Sequence, residues 1–211
     1  MTEDIIIGIG QGPLADFVKK HGISDKLYPY PAFFDDKIVL LRSKAGYIPY
    51  LKKMIFRINE IKIALWPDYI KPETAAKIVD LNLLRNVLFV VPIHDIKDVE
   101  IGEELEAKGF RVFYGFASDK KYRDYSLEEF LGEIKGDKWY LGVSSKRELK
   151  EALVNNFSGF DVTGYLFGKH KDRKNPQKLQ KMLLELLATI NKHQGRQTTL
   201  YDFINSPVKA R

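Results

Sequence analysis

Short apolar runs recur along the 211-residue chain, each closed by polar residues and followed by a segment of helical periodicity. The runs cover residues 5–9, 37–42, 62–66, 87–92, 111–116, 138–143 and 160–166. Most are continuous rather than alternating, the pattern of strands covered on both faces. Helical segments fall at 14–21, 47–59, 72–83, 99–108, 127–135 and 146–155, with a last one over 176–192. Such strand–helix alternation with short connections predicts a parallel sheet, either a barrel or a doubly wound open sheet. Seven units are tight for a full eightfold barrel, which typically takes ~250 residues. The expected fold is therefore α/β, a trimmed or incomplete TIM-like parallel barrel, with the open sheet as the alternative.

Helix starts are marked by their chemistry. Ser126 with Glu129, and Ser145 with Glu148, fit the capping box, in which hydroxyl and carboxylate each satisfy an orphan N–H. Asn175-Pro176 supplies an N-cap followed by proline at the first helical position. Repeats and low-complexity stretches are absent. The expected domains are a barrel over residues 1–193 and a C-terminal tail over 194–211, with 193–196 as the linker candidate.

With 45% hydrophobic residues the chain has enough material for a core. No apolar run reaches the ~18 residues of a membrane span, and the N-terminus lacks a signal peptide's basic-then-apolar layout. The absence of cysteine excludes disulfides, thiolate zinc sites, iron–sulfur clusters and a cysteine nucleophile. A cytoplasmic protein is the simplest expectation. High Lys and Glu content without cysteine is compatible with a thermophile. The formal charge is +6, concentrated late in the chain. Lys169, Lys171, Arg173, Lys174 and Lys178 are the candidate phosphate contacts, against the plainer reading of a solvated face.

Beyond Gly195, Leu200, Phe203 and Ile204 stand at the spacing that one helical turn puts on a single face. A short tail with an apolar plug is suited to a groove on a partner. Together with Gln197 they resemble the peptide by which proteins bind the ring-shaped DNA sliding clamp, PCNA (the PIP box), in its archaeal type. That motif is glutamine, an aliphatic residue three positions on, then two large apolar residues. Ile204 stands where eukaryotic versions prefer a second aromatic. The resemblance implies that Leu200, Phe203 and Ile204 enter an apolar pocket while the Gln197 amide reaches a polar one. The alternative is an amphipathic C-terminus that folds back on its own domain.

Chemistry in parallel α/β folds collects at the carboxyl ends of the strands. There the chain places Gly10-Gln11-Gly12, Ser43, Asp68, His94-Asp95, Ser118-Asp119, Ser144-Ser145 and Asp161. About half of these are expected to serve as helix caps alone. The glycine-rich stretch 8–13 lacks the third glycine of a dinucleotide fingerprint and the Lys-Ser/Thr pair of a P-loop, so a tight turn is expected. Trp66 and Tyr114 are expected to fill the barrel. Asp68, His94, Asp119 and Asp161 have the ligand types that suit Mg2+ or Mn2+, and no cofactor is otherwise implied. His94 is a candidate proton shuttle, with a structural histidine as the alternative.

The segment from Trp139-Tyr140-Leu141-Gly142-Val143 through Gly159-Phe160-Asp161-Val162 is similar to late barrel units of the tRNA-guanine and DNA deazaguanine transglycosylases. Ala64-Leu65-Trp66-Pro67-Asp68 resembles their strand whose terminal aspartate reads the guanine edge. The resemblance covers residues 62–168. It implies Asp161 as nucleophile, Asp68 as base reader and Leu141-Gly142 as backbone lining the base pocket. The family's zinc-binding cysteines are missing. Its early Asp-Ser-Gly motif, source of the second catalytic carboxylate, is also missing, and the nearest stretch reads Leu41-Arg42-Ser43-Lys44-Ala45-Gly46.

Three readings follow. The first is an accessory protein of DNA replication, repair or modification that docks on the clamp and presents a basic barrel to nucleic acid. Its barrel is either active in base exchange, with Asp161, Asp68 and His94 as the catalytic candidates, or catalytically inactive. The second is a non-enzymatic clamp adaptor or inhibitor. The third is a metal-dependent nuclease.

Overall fold

The computed structural model describes residues 4–36, 39–40, 43–168 and 170–194, the side chains of 170 and 171 excepted. Its eight strands are β1 (Ile6–Ile9), β2 (Leu27–Pro29), β3 (Phe33–Phe34), β4 (Ile63–Leu65), β5 (Leu88–Ile93), β6 (Arg111–Ala117), β7 (Lys138–Val143) and β8 (Gly159–Val162). All pairings are parallel, in the order β2-β1-β8-β7-β6-β5-β4-β3. The helices are α1 (Pro13–His21), α2 (Tyr47–Phe56), α3 (Pro72–Ala76), α4 (Val99–Ala107), α5 (Leu127–Glu133), α6 (Lys146–Val154), α7 (His170–Arg173) and α8 (Pro176–His193). The chain is an α/β, TIM-like parallel barrel, nearly closed, with helices around it.

The two ends of the sheet, β2 and β3, are consecutive in the chain and run the same way. They are therefore two halves of one bent stave. The first half pairs with β1, and Tyr30 N–H extends that ladder to the Ile9 carbonyl. The second pairs with β4, whose approach is fixed by Lys62 and Ile63 N–H on the Ala32 carbonyl. Eight strands thus occupy seven positions around the ring.

This stave corrects the strand expected at residues 37–42. Residues 37, 38, 41 and 42 lie outside the described residues, and between them Val39 and Leu40 are helical, both bonded through N–H to the Asp36 carbonyl. Pro29 and Pro31 cannot donate to a ladder. They flank Tyr30, so their nitrogens face away from β1, toward a side where β4 has not yet joined.

Alternation along the strands builds two cores. Phe33, Ile63, Leu65, Leu88, Val90, Phe113 and Trp139 point inward and fill the lumen. A larger cluster packs the outer faces of the strands against the helices and includes Trp66, Phe89, Tyr114, Phe116 and Phe160. Trp66 and Tyr114 therefore belong to the sheet–helix layer rather than to the lumen. The bulky inward rings need gaps opposite them. A Cβ at Gly8 would stand 2.7 Å from the Phe33 ring, and one at Gly159 would stand 2.4 Å from Trp139.

The signalled helix starts are present. Ser126 and Ser145 form reciprocal capping boxes with Glu129 and Glu148, and Asn175 accepts from Gln177 and Lys178 N–H. The helix expected over 72–83 divides into α3 and a 3₁₀ turn at Leu81–Leu84. The strand expected over 160–166 ends at Val162, followed by a 3₁₀ turn at Gly164–Phe167. Among the described residues no helix is long and apolar enough to cross a membrane.

Candidate functional site

Inward alternation on β8 aims Asp161 at the carboxyl-end mouth of the barrel. Among the described residues the buried polar or charged side chains are Asp36 and Asp161. Asp36 is ion-paired with Lys53. Asp161 has no cation against it among the described residues. Its Oδ1 accepts from Trp139 Nε1–H at 3.0 Å and from Gly142 N–H at 3.0 Å. The second donor depends on a local irregularity. The β7–β8 register shifts between Tyr140 and Val143, and Gly142 takes the left-handed conformation with φ 73°.

Asp161 lines a cavity of about 310 Å³ above β1 and β8. Its other walls include Gln11, Asp35, Thr163, Arg173 and Lys174. Asp35 follows directly on β3, and its Oδ2 lies 3.4 Å from where a Cβ on Gly10 would be. The displaced stave therefore brings a second carboxylate into the cavity. The stretch 41–46, nearest to the transglycosylase family's second-carboxylate motif, follows the strand expected at 37–42 and so lies too late in the chain. The signal that could have found it was Asp35-Asp36 directly after Phe33-Phe34.

A second cluster stands across the mouth. Asp68 follows β4, and His94 follows β5. His94 Nδ1–H donates to the Tyr122 carbonyl at 2.6 Å, and Nε2 lies 3.4 Å from Asp68 Oδ1, an ion-pair distance without hydrogen-bond alignment. Both ring nitrogens thus face oxygen. The His94 pKa is raised above 6.5, first by Asp68 and then by the Tyr122 carbonyl and the Asp98 charge, with desolvation opposing. Tyr69 packs its ring 5.2 Å from His94 while holding φ at 60°, a strained conformation for a bulky residue.

The predicted trio therefore divides. Asp68 and His94 are brought together, whereas Asp161, on β8, is three strand positions from β5 and four from β4 along the sheet, in the Asp35 cavity. The proposed Asp68–His94–Asp119–Asp161 metal set does not converge, and among the described residues no three such ligands do. Asp119 caps a 3₁₀ turn by accepting from Lys121 N–H, and Asp95 and Ser145 are caps as well. Of the basic run, Arg173 and Lys174 line the cavity. Lys178 is turned to Asp172 at 3.1 Å. Lys169, the Lys171 side chain, and Gln197, Leu200, Phe203 and Ile204 lie outside the described residues.

The fold and its mouth define a parallel α/β-barrel protein with two carboxylates lining one strand-end cavity. The chain is 36% identical over 196 residues to "Uncharacterized protein ORF192" of Acidianus two-tailed virus, covering 93% of this chain and 98% of that one. It belongs to the family of that viral protein. No protein-family model matches it. Among solved structures, thiamine phosphate pyrophosphorylase from Pyrococcus furiosus superposes with TM-score 0.47 at 15% identity, over 87% of this chain and 96% of that chain.

Proposed function

We propose that the barrel cleaves or exchanges the N-glycosidic bond of a nucleotide in nucleic acid, with Asp161 as nucleophile and Asp35 as the proton-transfer partner. The observation that supports this reading most is a buried carboxylate with no ion-pair partner among the described residues, fixed by two neutral N–H donors, in one cavity with a second carboxylate. Burying such a charge is costly, so a carboxylate kept in a strand-end cavity needs a reason to be there. In the proposed step an Asp161 oxygen bonds to the anomeric carbon while the C1′–N bond breaks. Its electron pair leaves with the base, which takes a proton from Asp35. The sugar stays esterified to Asp161 until a second base, deprotonated by Asp35, attacks the same carbon. The base must be unpaired or flipped to enter the cavity.

Asp68 and His94, on the other side of the mouth, fit the role of reading an edge of the substrate. The tail motif at Gln197, Leu200, Phe203 and Ile204 supports a tether to the sliding clamp. That would place the barrel in DNA replication, repair or modification.

The test is release of free guanine from a single-stranded oligonucleotide. Wild type is expected to release base, and both Asp161→Asn and Asp35→Asn to lower the rate by at least a hundredfold, the range associated with loss of a nucleophile or general acid. Equal rates in wild type and Asp161→Asn would overturn the assignment.

A further inference from the structure

The late basic run is not one uniform surface. Lys178 is neutralised by Asp172, and Lys181 lies 4.0 Å from Glu185. Arg173 and Lys174 instead turn into the cavity that holds Asp161 and Asp35. Arg173 is placed with some precision. Its guanidinium lies against the Gly164 backbone, so that a Cβ there would come within 1.9 Å of Nη1, and it sits 5.7 Å from the Tyr165 ring centroid. Its Nε is out of solvent and has no hydrogen-bond partner among the described residues. A buried guanidinium N–H without an acceptor is costly, and a bound oxyanion would supply one.

The turn into α1 adds backbone donors to the same cavity. The cavity is lined by Gly10, Gln11, Gly12, Pro13 and Leu14, the turn that opens the nine-residue α1. The first N–H groups of a helix have no intrahelical partner, and the helix dipole puts partial positive charge there. Pro13 removes one of those donors, leaving the N–H groups of the following residues. The cavity volume of about 310 Å³ lies at the small end of ligand sites, enough for one nucleotide unit rather than a duplex.

From this arrangement we infer that the cavity is a phosphate subsite: Arg173 and Lys174, together with the start of α1, bind the phosphate of a single nucleotide unit. The inference rests on the glycosidic reading for its choice of probe, since a phosphate held there leaves the attached sugar toward Asp161 and Asp35. Binding discriminates a phosphorylated from an unphosphorylated nucleoside, independently of whether any bond is broken.

The experiment is calorimetric titration of the full-length protein with guanosine 5′-monophosphate and with guanosine. Wild type should bind the monophosphate at least tenfold more tightly. Arg173→Gln should reduce that preference to less than twofold, and Lys174→Gln should reduce it in part, which covers the case in which the arginine variant fails to fold. Lys178→Gln should leave it in place. A short guanine-containing single-stranded oligonucleotide, titrated alongside, distinguishes a strand from a free nucleotide: tighter binding than the monophosphate assigns the site to a strand, weaker binding to the free form. Equal affinity for monophosphate and guanosine, no measurable binding of either, or a preference unchanged in both Arg173→Gln and Lys174→Gln would overturn the inference. If the preference stands while no base is released, the phosphate subsite survives and the glycosidic reading fails. Base release without the preference is the reverse case.

Discussion

Asp161 and His94 show two ways of keeping charge at a barrel mouth. Removing a carboxylate from water costs several kcal/mol unless partners replace the hydration. For Asp161 those partners are an indole N–H and a peptide N–H, both donated to one oxygen. Oδ2 accepts no hydrogen bond among the described residues, which is the arrangement an oriented nucleophile needs. His94 is pushed toward its charged form by its surroundings instead. A neutral ring has one hydrogen for two facing oxygens, so the imidazolium is favoured and the pKa lies above 6.5. The sign of the linkage follows. The stabilisation is fully present below the unfolded value and is lost as pH rises through the higher folded value. The melting-temperature gap between wild type and His94→Gln should therefore be widest near about pH 5 and should narrow by about pH 9. A gap that grows with pH would contradict the pairing with Asp68.

At the scale of elements, the β7 irregularity carries the site. Gly142 holds φ 73°, and the turn it makes delivers its N–H to Asp161. Gly142→Ala should cost about 1–3 kcal/mol in chemical denaturation, the range for a side chain forced into a sparsely populated backbone region. It should also lower base release beyond what the lost stability explains, because the donor to Asp161 is displaced. An alanine variant with unchanged stability and rate would show that the bulge is incidental. The sequence was most legible where elements are regular. Continuous apolar runs marked six of the seven staves, and Ser126, Ser145 and Asn175 marked their helix starts. It misled where two prolines interrupt a stave whose halves each pair on one side only, while the apolar run after it leads into a helical turn. That error concealed Asp35, since a residue's place at the mouth follows from which strand precedes it. The separation of Asp161 from Asp68 and His94 was equally hidden, because spacing along the chain sets no distance across a ring.

For the whole molecule, the proposed nucleotide chemistry belongs to the barrel and the proposed clamp tether to the C-terminal residues. The two parts make separable predictions. Calorimetric titration of purified sliding clamp with the full chain should give binding that Phe203→Ala weakens by ~2 kcal/mol or more, as expected for an anchor leaving a pocket. Asp161→Asn should bind the clamp as wild type does, and undiminished affinity in Phe203→Ala would remove the tether. The central claim, that Asp161 forms a bond to the sugar, is tested most directly by intact-mass spectrometry after a denaturing quench. Wild type incubated with a guanine-containing single-stranded oligonucleotide should yield a species heavier by the oligonucleotide less its guanine, with the added mass on the peptide that contains Asp161, and Asp161→Asn should yield none. Absence of that species in wild type, or its presence in the asparagine variant, would contradict the account.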